Sequence, residues 1–386
     1  MKHLLPALSF SFSIKPAKPS FPNSVWERPP SISRRFTSAL ITLLVFSLTA
    51  RAQDTIHYLD RKTMKEVSSA GTIQDENPGG VTYKPGTAAA PRQVSALDLI
   101  DIEYEVPGRV NLLYKSAASA ERRASSPTAK DAERKPALED ALKNYQAVLA
   151  ELPREKYKFA ERHLQFKLAK LQAQLAGETS EDADAAIESL SSFVKKYADG
   201  WQISQAARLL ARLQMSKGDA DGARKTYEGL AAIDTIPRQV RQDCEFLIAE
   251  ALINGKKYAE AQKKLQGLAQ GLSADDPQAA RARIYLAECL GVSGKLQEGV
   301  AQLEAIISKT TDKKLLGLAY NALGDCYRLN NRNKDALWPY LWVDVIYHQD
   351  RQEHQKAMEQ LARLFDEQGD KTRARQYRER LKRESR

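Results

Sequence analysis

The stretch Tyr320-Asn321-Ala322-Leu323-Gly324-Asp325-Cys326-Tyr327, with Ala336-Leu337-Trp338-Pro339-Tyr340 following it, decides the fold. Gly324 belongs to a column of small residues, Ala211, Ala249, Ala287, Gly324 and Ala362, spaced 38, 38, 37 and 38 residues apart. Twelve residues after each stands a second small residue: Ala223, Ala261, Gly299, Ala336 and Ala374. A fixed period of this length predicts a solenoid of stacked units, not one closed globule.

Each column sits in a helical pattern. Leu210, Ile248, Leu286, Leu323 and Leu361 precede the first column by one residue, and Leu252, Leu290, Tyr327 and Phe365 follow it by three. Tyr227, Leu265, Leu303 and Tyr340 follow the second column by four. Such spacings keep the side chains on one stripe of a helix. Each unit is therefore read as two amphipathic helices whose small residues let the backbones approach closely. Gly218, Gly255, Gly294 and Gly369 fall where the first helix must stop, and Asn331 takes that place in the remaining unit. Gly and Asn tolerate the left-handed conformation that ends a helix. Asp276-Pro277 reads as a capping residue with proline at the first helical position.

Tyr320, Leu323, Gly324, Tyr327, Ala336 and Tyr340 fall on the signature spacing of the tetratricopeptide repeat (TPR), which residues 201–386 resemble. The departures are the longer period, Gly299 in place of Ala, and Arg378 in place of an aromatic. Upstream, Ala141-Tyr145-Val148 with Pro153, and Ala186-Leu190-Phe193, look like second helices of two divergent units over 109–198. The expected fold is mainly α: a right-handed α-solenoid of about seven TPR-like helix pairs, preceded by a signal peptide and a small β-rich module.

Phe36 to Ala50 is apolar apart from Thr and Ser, follows Arg34-Arg35, and leads into Ala50-Arg51-Ala52. Fifteen residues are short for a membrane span, so 1–52 reads as a secretory signal with an over-long extension, cleaved near Ala52. The expected location is the periplasm or cell envelope, with membrane contact only through this segment if it is retained. Residues 1–52 carry seven Lys or Arg against one Glu, and the last sixteen carry eight against two. Of the net charge of +10 each end thus supplies +6, leaving −2 for residues 53–370. The basic tail reads as the solvated face of a terminal helix, with an anionic surface or nucleic acid as the sharper alternative; no aromatic stacking platform accompanies it, and no nucleic-acid partner is expected.

Residues 53–106 alternate in Ile56-His57-Tyr58-Leu59, Val81-Thr82-Tyr83 and Ile100-Asp101-Ile102-Glu103-Tyr104, with a turn at Pro78-Gly79-Gly80. They predict a small open barrel or sheet of four or five strands leaning on the first helix pair.

Chemistry is sparse. Cys244, Cys289 and Cys326 lie inside helices without a CxxC pair and read as buried apolar thiols. In the cluster His348, Asp350, Glu353 and His354 the two His stand six apart with a loop expected between them, whereas metal ligands on one helix need three- or four-residue spacing. No phosphate loop, nucleophile elbow or HExxH motif is present. The expectations are therefore no catalysis, no cofactor and no metal.

The TPR resemblance implies a groove lined by one face of every first helix. Carried onto this chain, the groove pairs are Arg208 and Arg212, Phe246 and Glu250, Ile284 and Glu288, Asn321 and Asp325, and Glu359 and Arg363. Such a groove would hold a protein or peptide segment with Lys or Arg beside apolar anchors. The central carboxylates speak against the clamping of a C-terminal carboxylate by Lys and Asn that some family members use. Two other readings stay open: a spacer in an envelope or secretion complex, and a regulator touching nucleic acid through the tail, which export would exclude. N-terminal sequencing of the envelope-fraction protein is expected to begin at Gln53. A chain retaining Phe36 to Ala50, or found in the cytosol, ends the export reading.

Overall fold

The computed structural model describes residues 53–86, 90–126, 128–176, 180–270, 272–273 and 276–384. The export segment lies outside them. Among the described residues no helix is long and apolar enough to cross a membrane.

Five strands come first: β1 (Asp54–Asp60), β2 (Lys65–Asn77), β3 (Gly80–Lys84), β4 (Arg92–Ser95) and β5 (Leu99–Glu103). They form one antiparallel sheet in the order β4-β3-β2-β1-β5. The long β2 serves two halves, pairing β1 through its first residues and β3 after a register shift between Ile73 and Asp75. A shift of this kind bends a strand and raises its twist. Pro78-Gly79 makes the turn into β3, and Gly80, at φ +148°, lies so close to the Val94 carbonyl that a Cβ would strike it. Alternation sends Ile56, Val81, Tyr83, Val94, Leu99 and Ile102 inward, where they join Tyr104, Val110, Tyr114, Tyr145, Leu164, Leu171 and Trp201 in one core. A module of this size buries little surface by itself. It is completed by the first helices.

Fourteen helices follow among the described residues, in seven pairs: α1 (Gly108–Ser125) with α2 (Asp131–Glu151), α3 (Lys158–Leu175) with α4 (Ser180–Lys196), α5 (Ile203–Ser216) with α6 (Ala220–Ala231), α7 (Arg238–Asn254) with α8 (Tyr258–Ala269), α9 (Pro277–Val292) with α10 (Leu296–Ile307), α11 (Lys313–Leu329) with α12 (Asn333–Val345), and α13 (Arg351–Glu367) with α14 (Lys371–Glu384). The result is an α-solenoid of TPR-like pairs. Of the two small-residue columns Ala211, Ala249, Ala287, Ala223, Ala261, Ala336 and Ala374 are completely buried. A Cβ on Gly324 would come within 2.6 Å of the Tyr340 ring, and one on Gly299 within 2.6 Å of the Ala287 carbonyl oxygen. The Gly299 departure therefore has a cause: α10 lies on α9 too closely there for a methyl group. Arg378, where an aromatic was expected, instead donates to Asp366 at 2.8 Å.

Gly218, Gly294, Gly369 and Asn331 are left-handed, with φ of 81°, 100°, 83° and 61°. The fourth pair differs. Gly255 caps α7 with a negative φ, and the left-handed residue is Lys256 at φ 60°. Asp276 accepts from the Gln278 amide at 2.8 Å and caps α9 ahead of Pro277.

Replacing Ala336 with Leu is expected to overpack the Gly324–Tyr340 contact and cost about 1–3 kcal/mol. Neighbouring pairs share interfaces, so the loss should spread along the array. Urea unfolding with helix-resolved hydrogen exchange measures both; unchanged stability would refute the close-approach account.

Candidate functional site on the inner face of the helix pairs

The ten groove positions divide by burial. Arg212, Glu359 and Arg363 are exposed, Arg208 and Glu250 are half-buried, and Phe246, Ile284, Glu288, Asn321 and Asp325 are buried. The central carboxylates do gather. They gather around a residue of this same chain: Lys356 Nζ of α13 donates to Glu250 Oε1 of α7 at 3.3 Å and lies 3.1 Å from Asp325 Oδ2 of α11. An ammonium on the seventh pair thus reaches a carboxylate on the fourth, so the first helices of these pairs converge on one interior.

Around Lys356 the bonding is dense but incomplete. Asp325 also accepts from the Tyr340 hydroxyl at 2.7 Å, which ties the inner face to the pair contact at Gly324. Asn321 Nδ2 donates to the Glu353 carbonyl at 2.9 Å and to Glu353 Oε2 at 2.7 Å. Glu288 Oε2, Asn321 Oδ1 and Gln360 Oε1 are buried acceptors without a hydrogen-bond partner. Burial pushes the Glu288 carboxyl up to about 8; Lys356 opposes this, while Asp325, Glu250 and Glu353 add to it. Burial also raises Glu353, and the surrounding carboxylates outweigh burial to hold Lys356 well above the ordinary ammonium value. The interior is rich in acceptors and poor in donors.

Phe246 and Ile284 are not open anchors. Phe246 packs near Tyr285, ring centroids 6.1 Å apart, under the Arg281 guanidinium at 4.5 Å, and Ile284 has no exposed surface. Arg208 is drawn to Asp243 at 3.1 Å, and Arg281 contacts the same carboxylate at 3.3 Å. Lys356, Arg281 and Asp243 were missed from the sequence, yet they form a column. Six residues before each first-column residue stand Gln205, Asp243, Arg281, Leu318 and Lys356, one turn beyond the groove positions.

The residues weighed for metal have other occupations. Asp350 caps α13, Glu353 accepts from Asn321, and His354 Nε2 meets Asp344 at 2.9 Å. Burial pushes the Cys244 and Cys289 thiols up to about 11 and 12, which suits inert apolar packing.

A second buried network was also not foreseen. It joins the sheet to the helices. Arg162 of α3 donates to Glu76 of β2 at 2.7 Å, Tyr104 donates to the same carboxylate, and Trp201 donates to the Tyr104 hydroxyl at 3.2 Å. Lys167 bridges Asp101 of β5 at 2.7 Å and Glu121 of α1 at 3.0 Å. Burial would raise Asp101, but Lys167 and His163 hold it far below the carboxylate range.

The pH dependence follows by sign. A carboxyl raised above its ordinary value of 4.5 stabilises the fold below that pH, and the contribution is lost as pH rises through about 8. Glu288→Gln should therefore flatten the fall in thermal stability between those limits and add about 1–2 kcal/mol above pH 8. Melting curves across that range test it; an unchanged slope would remove Glu288 from the account.

No protein-family model matches the chain, and no curated protein matches it. Among solved structures, a tetratricopeptide repeat protein from Parabacteroides merdae is 15% identical, with a TM-score of 0.41 over 69% of this chain and 92% of that one. The TPR-like repeats of a Podosopora anserina putative kinesin light chain are 21% identical, with a TM-score of 0.32 over 49% and 95%. YrrB, described as a TPR protein with an unusual peptide-binding site, is 16% identical, with a TM-score of 0.29 over 53% and 93%. On the ground of its own helix pairs, small-residue columns and left-handed turns, the chain folds as an α-solenoid of TPR-like helix pairs preceded by a β module.

Proposed function

We propose that this protein is a non-enzymatic exported scaffold that holds a basic segment of a partner protein or peptide along the inner face of its first helices. The observation that carries the reading is Lys356, whose ammonium sits between Glu250 and Asp325 in an interior where Glu288, Asn321 and Gln360 keep unpartnered oxygens. An interior that recruits a cation from three pairs away selects cations generally. Arg208, Arg212, Glu250, Glu359 and Arg363 are the positions a partner can meet first, since they retain exposed surface. Phe246 and Ile284 support the wall from behind, so charge would choose the partner more than apolar anchoring does. Charge of this kind acts on the rate of encounter and on specificity before it acts on affinity. Export rests on Phe36 to Ala52 of the sequence.

The test is an array of peptides alternating Lys or Arg with Leu or Phe, set against copies in which Glu replaces every cation. The basic set should bind and weaken steeply with salt. Glu250→Lys with Glu359→Lys should cost about ten-fold in affinity and reduce the salt slope, with the circular dichroism unchanged. Equal binding of both sets, or indifference to the two reversals, would sink the proposal.

A further inference from the structure

The repeat supplies its own control for the outer face of the second helices. Two residues past each second-column small residue stand Lys225, Lys263, Ala301, Trp338 and Gln376. Six past it stand Gly229, Gly267, Ala305, Trp342 and Arg380, and nine past it Ala232, Gln270, Ser308, Val345 and Arg383. The fold accepts small or polar residues at these places in every other pair. Only α12 fills these three places with large apolar side chains, and they are open: Trp338 is 67% exposed, Trp342 45% and Val345 63%, with Ile346 next in sequence 41% exposed. Spacings of four, seven and eight residues set all four on one face of the helix. Trp342 is held in place by Tyr320 and Tyr347, at centroid distances of 6.0 and 6.3 Å and interplanar angles of 17° and 25°.

The most basic helix among the described residues, α14, is bonded to α12. Tyr377 donates to Asp344 of α12 at 2.9 Å and Arg380 at 2.6 Å, which ties α14 to α12 through their side chains. In the repeat, Arg380 and Arg383 are the counterparts of Trp342 and Val345 in the next pair. Arg375 is also open, with 75% of its side chain exposed.

We propose that this face docks on an anionic lipid surface, with Trp338, Trp342, Val345 and Ile346 entering the boundary between headgroups and acyl chains and the exposed Arg375 and Arg383 of α14 meeting the phosphates. Indoles favour that boundary because one edge is apolar and the other donates a hydrogen bond. Apolar insertion beside a cationic helix gives the two signals that surface binding needs. The chemistry separates lipid from the other occupants. Val345 and Ile346 offer nothing to a stacked base. A two-fold contact between copies would bring two tails of net charge +6 together.

The proposal stands apart from the reading of the inner face and is tested with the full chain on vesicles. Flotation with phosphatidylcholine vesicles containing phosphatidylglycerol should recover the protein, pure phosphatidylcholine should recover little, and added salt should release it. Trp338→Ser, at the most exposed of the four, should weaken binding by about ten-fold, and Trp338→Leu should restore part of it. Arg375→Glu with Arg383→Glu should weaken it by about ten-fold or more. Ala301→Ser with Ala305→Ser, the same places on α10, should leave it unchanged. The proposal is overturned by equal recovery on both vesicle types or by a Trp338→Ser variant that floats like the parent. It is equally overturned if the tryptophans govern self-association or binding to homopolymer RNA while vesicles are ignored.

Discussion

The rest of the solenoid depends on how closely two helices of a pair can lie. Gly324 against the Tyr340 ring, and Gly299 against Gly291 and the Ala287 carbonyl, leave no room for a methyl group. The approach is set by what is missing from the side chain. Once the axes are fixed, the large residues at one, three and four places from each small residue must interdigitate along a common seam. Tyr340 shows how far one contact extends: its ring seals Gly324 while its hydroxyl donates to Asp325 on the inner face. Packing and site share a residue, so a disturbance of the seam is felt by the carboxylates.

Buried charge divides the molecule into two polar interiors of opposite character. At the junction of sheet and helices the account closes, because Glu76 is met by Arg162 and Tyr104, and Asp101 and Glu121 by Lys167. Pairing of these carboxylates in low dielectric fixes orientation, although Arg162 Nε and His163 Nδ1 are buried there without a hydrogen-bond partner. It makes the β module a continuation of the first two pairs and not a body on a tether. Inside pairs four to seven the account stays open. Glu250, Glu288, Asp325 and Glu353 share Lys356, and Glu288 avoids the cost of a buried unpaired charge by holding its proton.

What could be read from the sequence follows the range of the interaction that produces it. The period, the turns at Gly218, Gly294, Asn331 and Gly369, and the cap at Asp276 all arise within one helix pair, where spacing along the chain equals spacing in space. Strand alternation is equally local, and β1, β3 and β5 lie on the runs read from it. Lys356 beside Glu250 is different, being separated by 106 residues. Their meeting depends on the rotation accumulated over three pairs, which no periodicity encodes. Phe246 and Ile284 were read as lining because their column faces inward; the same convergence that gathers the carboxylates buries them. Arg162 with Glu76 escaped notice because neither lies in a pattern, only in a fold.

A repeat array keeps such specialisations separable. Helix packing runs from each pair to its neighbours, with the Lys356–Glu250 bridge reaching further, so a residue that departs from its column on the outer face changes one place and leaves the rest intact. Trp338 and Trp342 depart on the outer face of α12, while Lys356 on α13, one helix along the chain, stands in a column whose residue type changes from pair to pair. The period holds the architecture, and the exceptions to the period hold the chemistry. In such a chain, then, a residue that breaks its column without a packing reason is a better guide to function than one that keeps it. Gly299 breaks its column for want of space; Trp338, open to solvent, has no such reason.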